Sequence, residues 1–387
     1  MWYFVSPQVV YGQDAVTRLG QLEGKSAFIV TDANMVKLGF VDKVKEQLSQ
    51  AGIKSTVFDG VEPDPSLETV KKGSSQMSQY GPDLIMALGG GSVMDAAKAM
   101  SAGYERPDIK AEEINPFTPL GPRKKAKLVC IPTTSGTGAE ATWGIVLTVT
   151  DEQRKGSFGC RECTPDIAIV DPTFALEMPP RLTAQTGMDV LTHAIEGFTS
   201  TWKNDFSDGL CLKAIQLVFQ YLPRAFKDGH DMEAREKMHN AACIAGMGFI
   251  NSMCALAHAA GHSLGGVFHT PHGRAVGLFL PYTIEFIGDV REELWAEIAY
   301  SIKLKVPKGK KAAPILAEAI RGLARSVKEP LSIKETGIPS DSFNNSMAKL
   351  VDNAMMDFQL VTTARAPNSE ETAKFFRYAY EGKSIDF

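Results

Sequence analysis

The chain has seven histidines among 387 residues, and five of them crowd into two short stretches. Four lie within Ala257–Gly273 (AHAAGHSLGGVFHTPHG): His258, His262, His269 and His272. The fifth, His193, follows Asp189 by four residues in GMDVLTHA. On a helix that spacing sets a carboxylate and an imidazole side by side. His258 and His262 are also four apart, and Gly265, Gly266 and Pro271 are expected to break their helix, so that His272 arrives from the next segment. Two helices and a turn can then converge on one point. A carboxylate with imidazoles suits a borderline divalent ion, Fe2+ or Zn2+. Three or four protein ligands with one open position describe a catalytic centre, where the ion polarises an alcohol or carbonyl oxygen. A single histidine is more often a satisfied core or capping group. This many buried imidazoles without a common partner would leave many donors to satisfy. Spacing alone does not separate ligand from neighbour among His258, His262, His269 and His272. His230 and His239 sit among charged residues (KDGHDMEAREKMHN) and read as surface positions.

A second group of residues suits a dinucleotide. Gly89, Gly90, Gly91 and Ser92 stand between an apolar strand-like run and a helical one, with Asp95 and Lys98 on that helix. Glycines there let the backbone approach a pyrophosphate, and a helix N-terminus offers free N–H groups and positive partial charge. Asp32 ends an earlier strand-like run, where an acid can accept from ribose hydroxyls and repel a 2′-phosphate, favouring NAD over NADP. Ile131–Gly138 (IPTTSGTG) follows another such run and is rich in hydroxyls and backbone donors. The glycine run does not match G-x-G-x-x-G, because position 94 is Met, so the usual Rossmann fingerprint is absent. Each glycine loop alone reads equally as a tight turn, and Asp32 alone as a cap.

These residues need elements to hold them. In the first half, strand-like runs at Lys25–Asp32, Ser55–Asp59, Asp83–Leu88, Lys127–Thr133 and Ile167–Asp171 alternate with helical runs at Val41–Ala51, Ser66–Tyr80 and Val93–Met100. Strands separated by helices imply a mainly parallel sheet with right-handed crossovers. From about Pro180 the segments are long and helically periodic: Ala184–Thr199, Leu210–Phe226, Met232–Ser252 and Ile315–Val327. Pro179 and Pro180 mark the change. The expected architecture is α/β followed by all-α: a Rossmann-like parallel-sheet domain at 1–179 for the dinucleotide, then an all-helical domain at 180–387 for metal and substrate.

Composition narrows the classes. With 44% hydrophobic and 22% charged residues the chain reads as an ordinary globular protein. A net charge of −4 argues against nucleic acid as a partner. No positively charged leader with an apolar core and no sustained apolar run suggest a signal peptide or a membrane span. Six scattered cysteines do not form a disulfide framework, so a cytoplasmic location with reduced thiols is expected. Cys160 and Cys163 form a C-x-x-C without a second pair, and their flanks show no strand-to-helix entry; they read as incidental.

Four blocks together, GGGSVMDAAK, IPTTSGTGAEAT, GMDVLTHAIEGF and HAAGHSLGGVFHTPHG, resemble the iron-containing, or group III, alcohol dehydrogenases over essentially the whole chain. The resemblance implies a dehydroquinate synthase-like fold, an N-terminal domain binding NAD(P) and a helical domain holding one metal in the cleft between them. It implies Asp189, His193, His258 and His272 as ligands, Fe2+ ahead of Zn2+, with His262 near substrate and nicotinamide as a proton relay. His269 is then left as a neighbour supporting the ligands. It implies cofactor contacts at Asp32, Gly89, Gly90, Gly91, Ser92, Asp95, Thr133, Thr134, Thr137, Thr142 and Lys155, the last across a one-residue indel. The expected reaction is hydride transfer between a small primary alcohol or diol, or its aldehyde, and NAD, with the substrate oxygen bound to the metal. A homodimer is expected as the commonest closed assembly. Alternatives are a glycerol-type polyol dehydrogenase, in which one ligand position is often not histidine, a lyase of the same fold, and a non-catalytic metal- or nucleotide-binding protein.

Overall fold

Apolar, β-branched runs of five or six residues in the first half form buried strands. A computed structural model describes residues 3–117, 119–121, 123–149 and 154–387, the side chains of 154 and 155 apart. The chain divides into two compact units, Met1–Glu177 and Met178–Phe387.

The first unit contains β1 (Gln8–Tyr11), β2 (Ser26–Val30), α1 (Ala33–Lys37), α2 (Phe40–Gln50), β3 (Lys54–Phe58), α3 (Leu67–Tyr80), β4 (Leu84–Gly89), α4 (Gly91–Glu105), β5 (Lys127–Pro132), β6 (Ile145–Val149), β7 (Arg154–Phe158) and β8 (Ile167–Val170). Six strands pair in parallel in the order β1-β8-β5-β4-β2-β3. Side chains alternate across the sheet as strand geometry requires. Phe28, Val30, Ile85, Ala87 and Leu128 face the layer of α3 and α4, and Ala27, Ile29, Met86, Leu88 and Val129 face the layer of α2. The chain passes from β2 to β3 on one side and then returns past β2 to place β4 on the other. The strand order thus reverses between β2 and β4, and a parallel sheet offers its ligand crevice at the carboxyl ends of the strands around such a point. The sequence reading omitted β1 and the antiparallel β6–β7 hairpin, both short; in β1 the residues QVVY are no more than half-buried.

The second unit is helical: α5 (Pro180–Thr199), α6 (Asp205–Lys227), α7 (Met232–Phe249), α8 (Leu256–Phe268), α9 (His272–Ile287), α10 (Glu292–Ser301), α11 (Ala312–Ser326), α12 (Ser340–Asn345), α13 (Met347–Met356) and α14 (Ser369–Glu381). No strand occurs among its described residues, and no described helix of the chain is long and apolar enough to cross a membrane. Pro180 opens α5 at a position whose N–H would have no helical acceptor anyway. Every residue of α5 from Gly187 to Thr199 is buried. A helix covered on all sides is a central element, and α5 packs against α6, α7, α8 and α9.

Three expectations need correction here. Gly265 and Gly266 do not break α8, which runs on to Phe268 and ends where His269 adopts the left-handed conformation (φ 55°). His269 is thereby an exposed helix terminus rather than a support for the ligands. His239 is 1% exposed, because the face of α7 that carries it turns toward the bundle core despite its charged sequence neighbours.

Gly273, at the start of α9, fixes how closely α9 meets α5. A Cβ there would lie 2.4 Å from the Gln185 carbonyl oxygen and 3.1 Å from Asp189 Cβ. Both obstacles belong to α5, and the nearer is backbone, so the helices would have to separate. Gly273→Ala is expected to lower stability by about 1–3 kcal/mol, the usual cost of overpacking. Urea unfolding measures this, and an unchanged midpoint would contradict the close approach.

Candidate metal centre

Helical spacing on α5 brings Asp189 and His193 to one face, with Asp189 Oδ1 3.6 Å from His193 Nδ1. His258 comes from the first turn of α8, its Nε2 4.0 Å from the same Asp189 oxygen. His272 is the first residue of α9, and its Nε2 lies 3.5 Å from that oxygen. One ligand atom from each of the four lies within 4.8 Å of all the others. Asp189 Oδ1, His193 Nδ1 and His258 Nε2 are buried without a hydrogen-bond partner. Buried polar atoms are nearly always paired. Three orphans aimed at one another, one of them a carboxylate oxygen, fit a shared cation in the space between them. Their protonation also fits. Burial alone would raise the Asp189 pKa, but the surrounding imidazoles outweigh it and hold the carboxyl below the usual range. Burial pushes His193 down to about 3 and His258 well below its ordinary value. An ionised carboxylate among neutral imidazoles is the form a divalent ion requires. Glu196, Cys254 and His258 also lie close together. There the carboxylate oxygens are already hydrogen-bonded and burial keeps the thiol protonated, so that trio is not a second centre.

In the first unit, register aligns the loops singled out in the sequence. Gly89 pairs with Pro132, and Val30 with Ala87, so the ends of β2, β4 and β5 stand side by side. Asp32, Gly89–Ser92 and Thr133–Thr137 follow those ends. Thr133 N donates to the Gly89 carbonyl at 3.0 Å. A Cβ on Gly91 would meet Thr137 Cγ2 at 2.8 Å, so a side chain there would push the two loops apart. Helix α4 starts at Gly91, leaving its first-turn amides without helical acceptors. Asp32 caps α1, with Oδ1 accepting from Asn34 N at 2.8 Å and Met35 N at 3.3 Å. Two of the expected contacts serve the scaffold. Asp95 accepts from Val146 N at 2.9 Å and binds the hairpin to α4. Thr142, 4% exposed, accepts from the buried Lys98 ammonium at 3.1 Å. The side chain of Lys155 lies outside the described residues; its backbone pairs with Thr148 in the hairpin.

Two family models match the chain in succession: "Iron-containing alcohol dehydrogenase" over residues 6–172, and "Fe-containing alcohol dehydrogenase family, C-terminal" over 183–380. The chain belongs to the iron-containing alcohol dehydrogenase family. An NADPH-dependent butanol dehydrogenase of Clostridium saccharobutylicum is 40% identical over 390 residues, covering 100% of both chains. The crystal structure of a 1,3-propanediol oxidoreductase superposes with a TM-score of 0.90 at 31% identity, covering 98% of this chain and 100% of that one. An alcohol dehydrogenase of Oenococcus oeni gives a TM-score of 0.92 at 30% identity, with the same coverage of both.

Within this iron-containing alcohol dehydrogenase family member, three residues absent from the sequence reading surround the cluster. Glu196 lies one turn beyond His193 on α5. Its carboxylate accepts from the backbone N–H groups of Ala255 at 3.1 Å and Ala257 at 2.5 Å, and its Oε2 lies 2.5 Å from His258 Nδ1. Burial pushes its pKa up to about 7, against those hydrogen bonds. Phe249, at the end of α7, stacks on His193 with ring centroids 4.1 Å apart and planes 8° from parallel. Asp357 Oδ2 lies 2.7 Å from His262 Nδ1. The ring of His262 stands 5.3 Å from that of His272, centroid to centroid. Glu196 was detectable as the one other acid in an otherwise apolar helical stretch. Phe249 and Asp357 carry no such signal.

Metal analysis after dialysis against a weak chelator should find one Fe2+ or Zn2+ per chain in the wild type. His258→Ala should lose it, and Glu196→Gln should weaken metal affinity about 10- to 100-fold, the usual cost of losing the partner that orients a ligand. Full metal content in His258→Ala is the result that excludes this ligand set.

Proposed function

We propose that the chain is a metal- and nicotinamide-dependent dehydrogenase of small primary alcohols or diols, working in either direction between alcohol and aldehyde. The observation that carries this reading is the convergence of Asp189, His193, His258 and His272 with three orphaned polar atoms among them. These four would hold a divalent ion, Fe2+ ahead of Zn2+. A bound ion would supply positive charge that makes the substrate hydroxyl more acidic, and a bound nicotinamide would supply the hydride acceptor. The butanol and propanediol enzymes among its relatives support short alcohols and diols as the substrate class.

The chain's own residues supply position and proton handling. The amides at the start of α4 and the hydroxyls of Thr133, Thr134 and Thr137 would bind the pyrophosphate and nicotinamide side. Residues 1–179 would thus serve the cofactor and 180–387 the metal and substrate. His262 is half-buried beside the four ligands but outside their set. It would take the hydroxyl proton as a general base. Asp32 keeps one carboxylate oxygen clear of its cap bonds. That oxygen would accept from the ribose and repel a 2′-phosphate, favouring NAD over the NADPH used by the butanol dehydrogenase. All six cysteine side chains are buried, and the chain would work as a homodimer in the reducing cytoplasm.

Absorbance of reduced nicotinamide, followed with Fe2+- or Zn2+-loaded protein and a panel of alcohols, diols and aldehydes, tests the activity. Turnover of short alcohols is expected, and silence across the panel would leave only a binding protein. His262→Gln should lower kcat about 100- to 10,000-fold, the range for a lost general base. Asp32→Gly should improve use of NADP; a wild type that already prefers NADP overturns the NAD assignment.

A further inference from the structure

Asp357 belongs to neither the glycine loops nor the ligand set, yet its hydrogen bonds determine what His262 can do. Its side chain is 14% exposed and that of His262 27%. Oδ1 accepts from Gln359 N at 2.9 Å, capping the short helical turn Phe358–Thr362. Oδ2 lies 2.7 Å from His262 Nδ1. The His262 contact and the cap hold Asp357 below the usual carboxyl range even though burial alone would raise it. An ionised carboxylate only accepts hydrogen bonds. The proton in this contact therefore sits on His262 Nδ1, so that in the neutral ring Nε2 carries the lone pair.

The carboxylate is itself held in place. Thr362, at the far end of the capped turn, donates its hydroxyl to the Cys254 carbonyl just before α8. Its carbonyl accepts from Thr201 N at 2.9 Å, just after α5. The turn is thus tied beside α5 and α8, two of the three helices that carry the cluster. One turn earlier on α8, His258 has the same arrangement: Glu196 at its Nδ1 and Nε2 toward Asp189. Two imidazoles on one helix are therefore each oriented by a carboxylate from a different element.

We propose that Asp357 is a positioning residue that fixes the tautomer and ring orientation of His262, leaving Nε2 free to take the substrate proton. The inference rests on the reading of His262 as the base. In that step the substrate O–H bond breaks, its electron pair stays on oxygen and the proton moves to Nε2. The Asp357 carboxylate then faces an imidazolium and balances its charge, as the acid of a catalytic triad does.

Asp357→Asn separates orientation from scaffolding. Asn caps helices as well as Asp does, so its oxygen can keep the Gln359 bond. Its amide group would face Nδ1 as a donor and drive the ring to the opposite tautomer. In the metal-loaded enzyme kcat should fall about 10- to 100-fold, as for other residues that orient a functional histidine. KM, metal content and thermal midpoint should stay as in the wild type. Nitrogen NMR of histidine-labelled enzyme, with the His262 signal assigned by its absence in His262→Gln, should show Nδ1–H in the wild type and Nε2–H in the variant. The proposal is overturned if wild-type His262 carries its proton on Nε2, if Asp357→Asn keeps full kcat, or if metal is lost in step with kcat. Full kcat in His262→Gln would instead remove the base role of His262 while the NMR result still decides the hold of Asp357 on the ring.

Discussion

The negative charge of Asp189 lies in a buried stretch of α5, and the arrangement of the second unit follows from that. A carboxylate transferred from water to a protein interior loses several kcal/mol of solvation unless positive or donor groups replace it. Here the replacements come from three segments: His193 on the same helix, His258 from α8 and His272 from α9. Neutral imidazoles are partial replacements, which is why three polar atoms still face one another unpaired. The arrangement becomes favourable when a cation completes it, so binding a metal and stabilising the bundle core are one thermodynamic event.

The rest of the bundle keeps those segments close and oriented. Gly273 lets α9 touch α5 beside Asp189, Phe249 fixes the plane of His193, and Glu196 ties the start of α8 to α5 through three hydrogen bonds. In the α/β unit the same economy appears with different chemistry. Parallel pairing puts the ends of β2, β4 and β5 in line, and the missing side chain of Gly91 lets two loops meet. Backbone amides and hydroxyls then line that edge, with Asp32 as its acid at the end of β2.

Much of this was legible in the sequence, for definable reasons. The strands β2, β4, β5 and β8 are largely apolar runs because a parallel sheet is covered on both faces, while β3 (KSTVF), at the sheet edge, was marked mainly by its β-branched and aromatic residues. β1 pairs only at the sheet edge and its four residues lack that pattern. Asp189, His193 and His258 stood out because i, i+4 spacing brings polar groups together within one helix. His239 was misread because local charge says little about which helical face turns inward, and His269 because the helix continued through two glycines before stopping. Glu196 meets His258 across 62 residues, and Asp357 meets His262 across 95. Contacts made only by the fold leave no periodicity for a sequence to display. The resemblance to a known family pointed to Asp189, His193, His258 and His272 as candidate ligands and to His262 as a relay, but not to Glu196 and Asp357, the carboxylates beside His258 and His262.

The four candidate ligands are unequally exposed. The side chains of Asp189, His193 and His258 are 2%, 7% and 3% exposed, whereas that of His272 is 38% exposed. Three walls of the site are therefore closed and one is half open, at the first residue of α9. Exchange of a bound ion with solvent would then proceed past the half-open His272 side rather than through the closed walls. How tightly a metal is held and how quickly it is traded would thus depend on different parts of the molecule. The first would answer to the buried charge on α5, the second to the exposed side chain of His272.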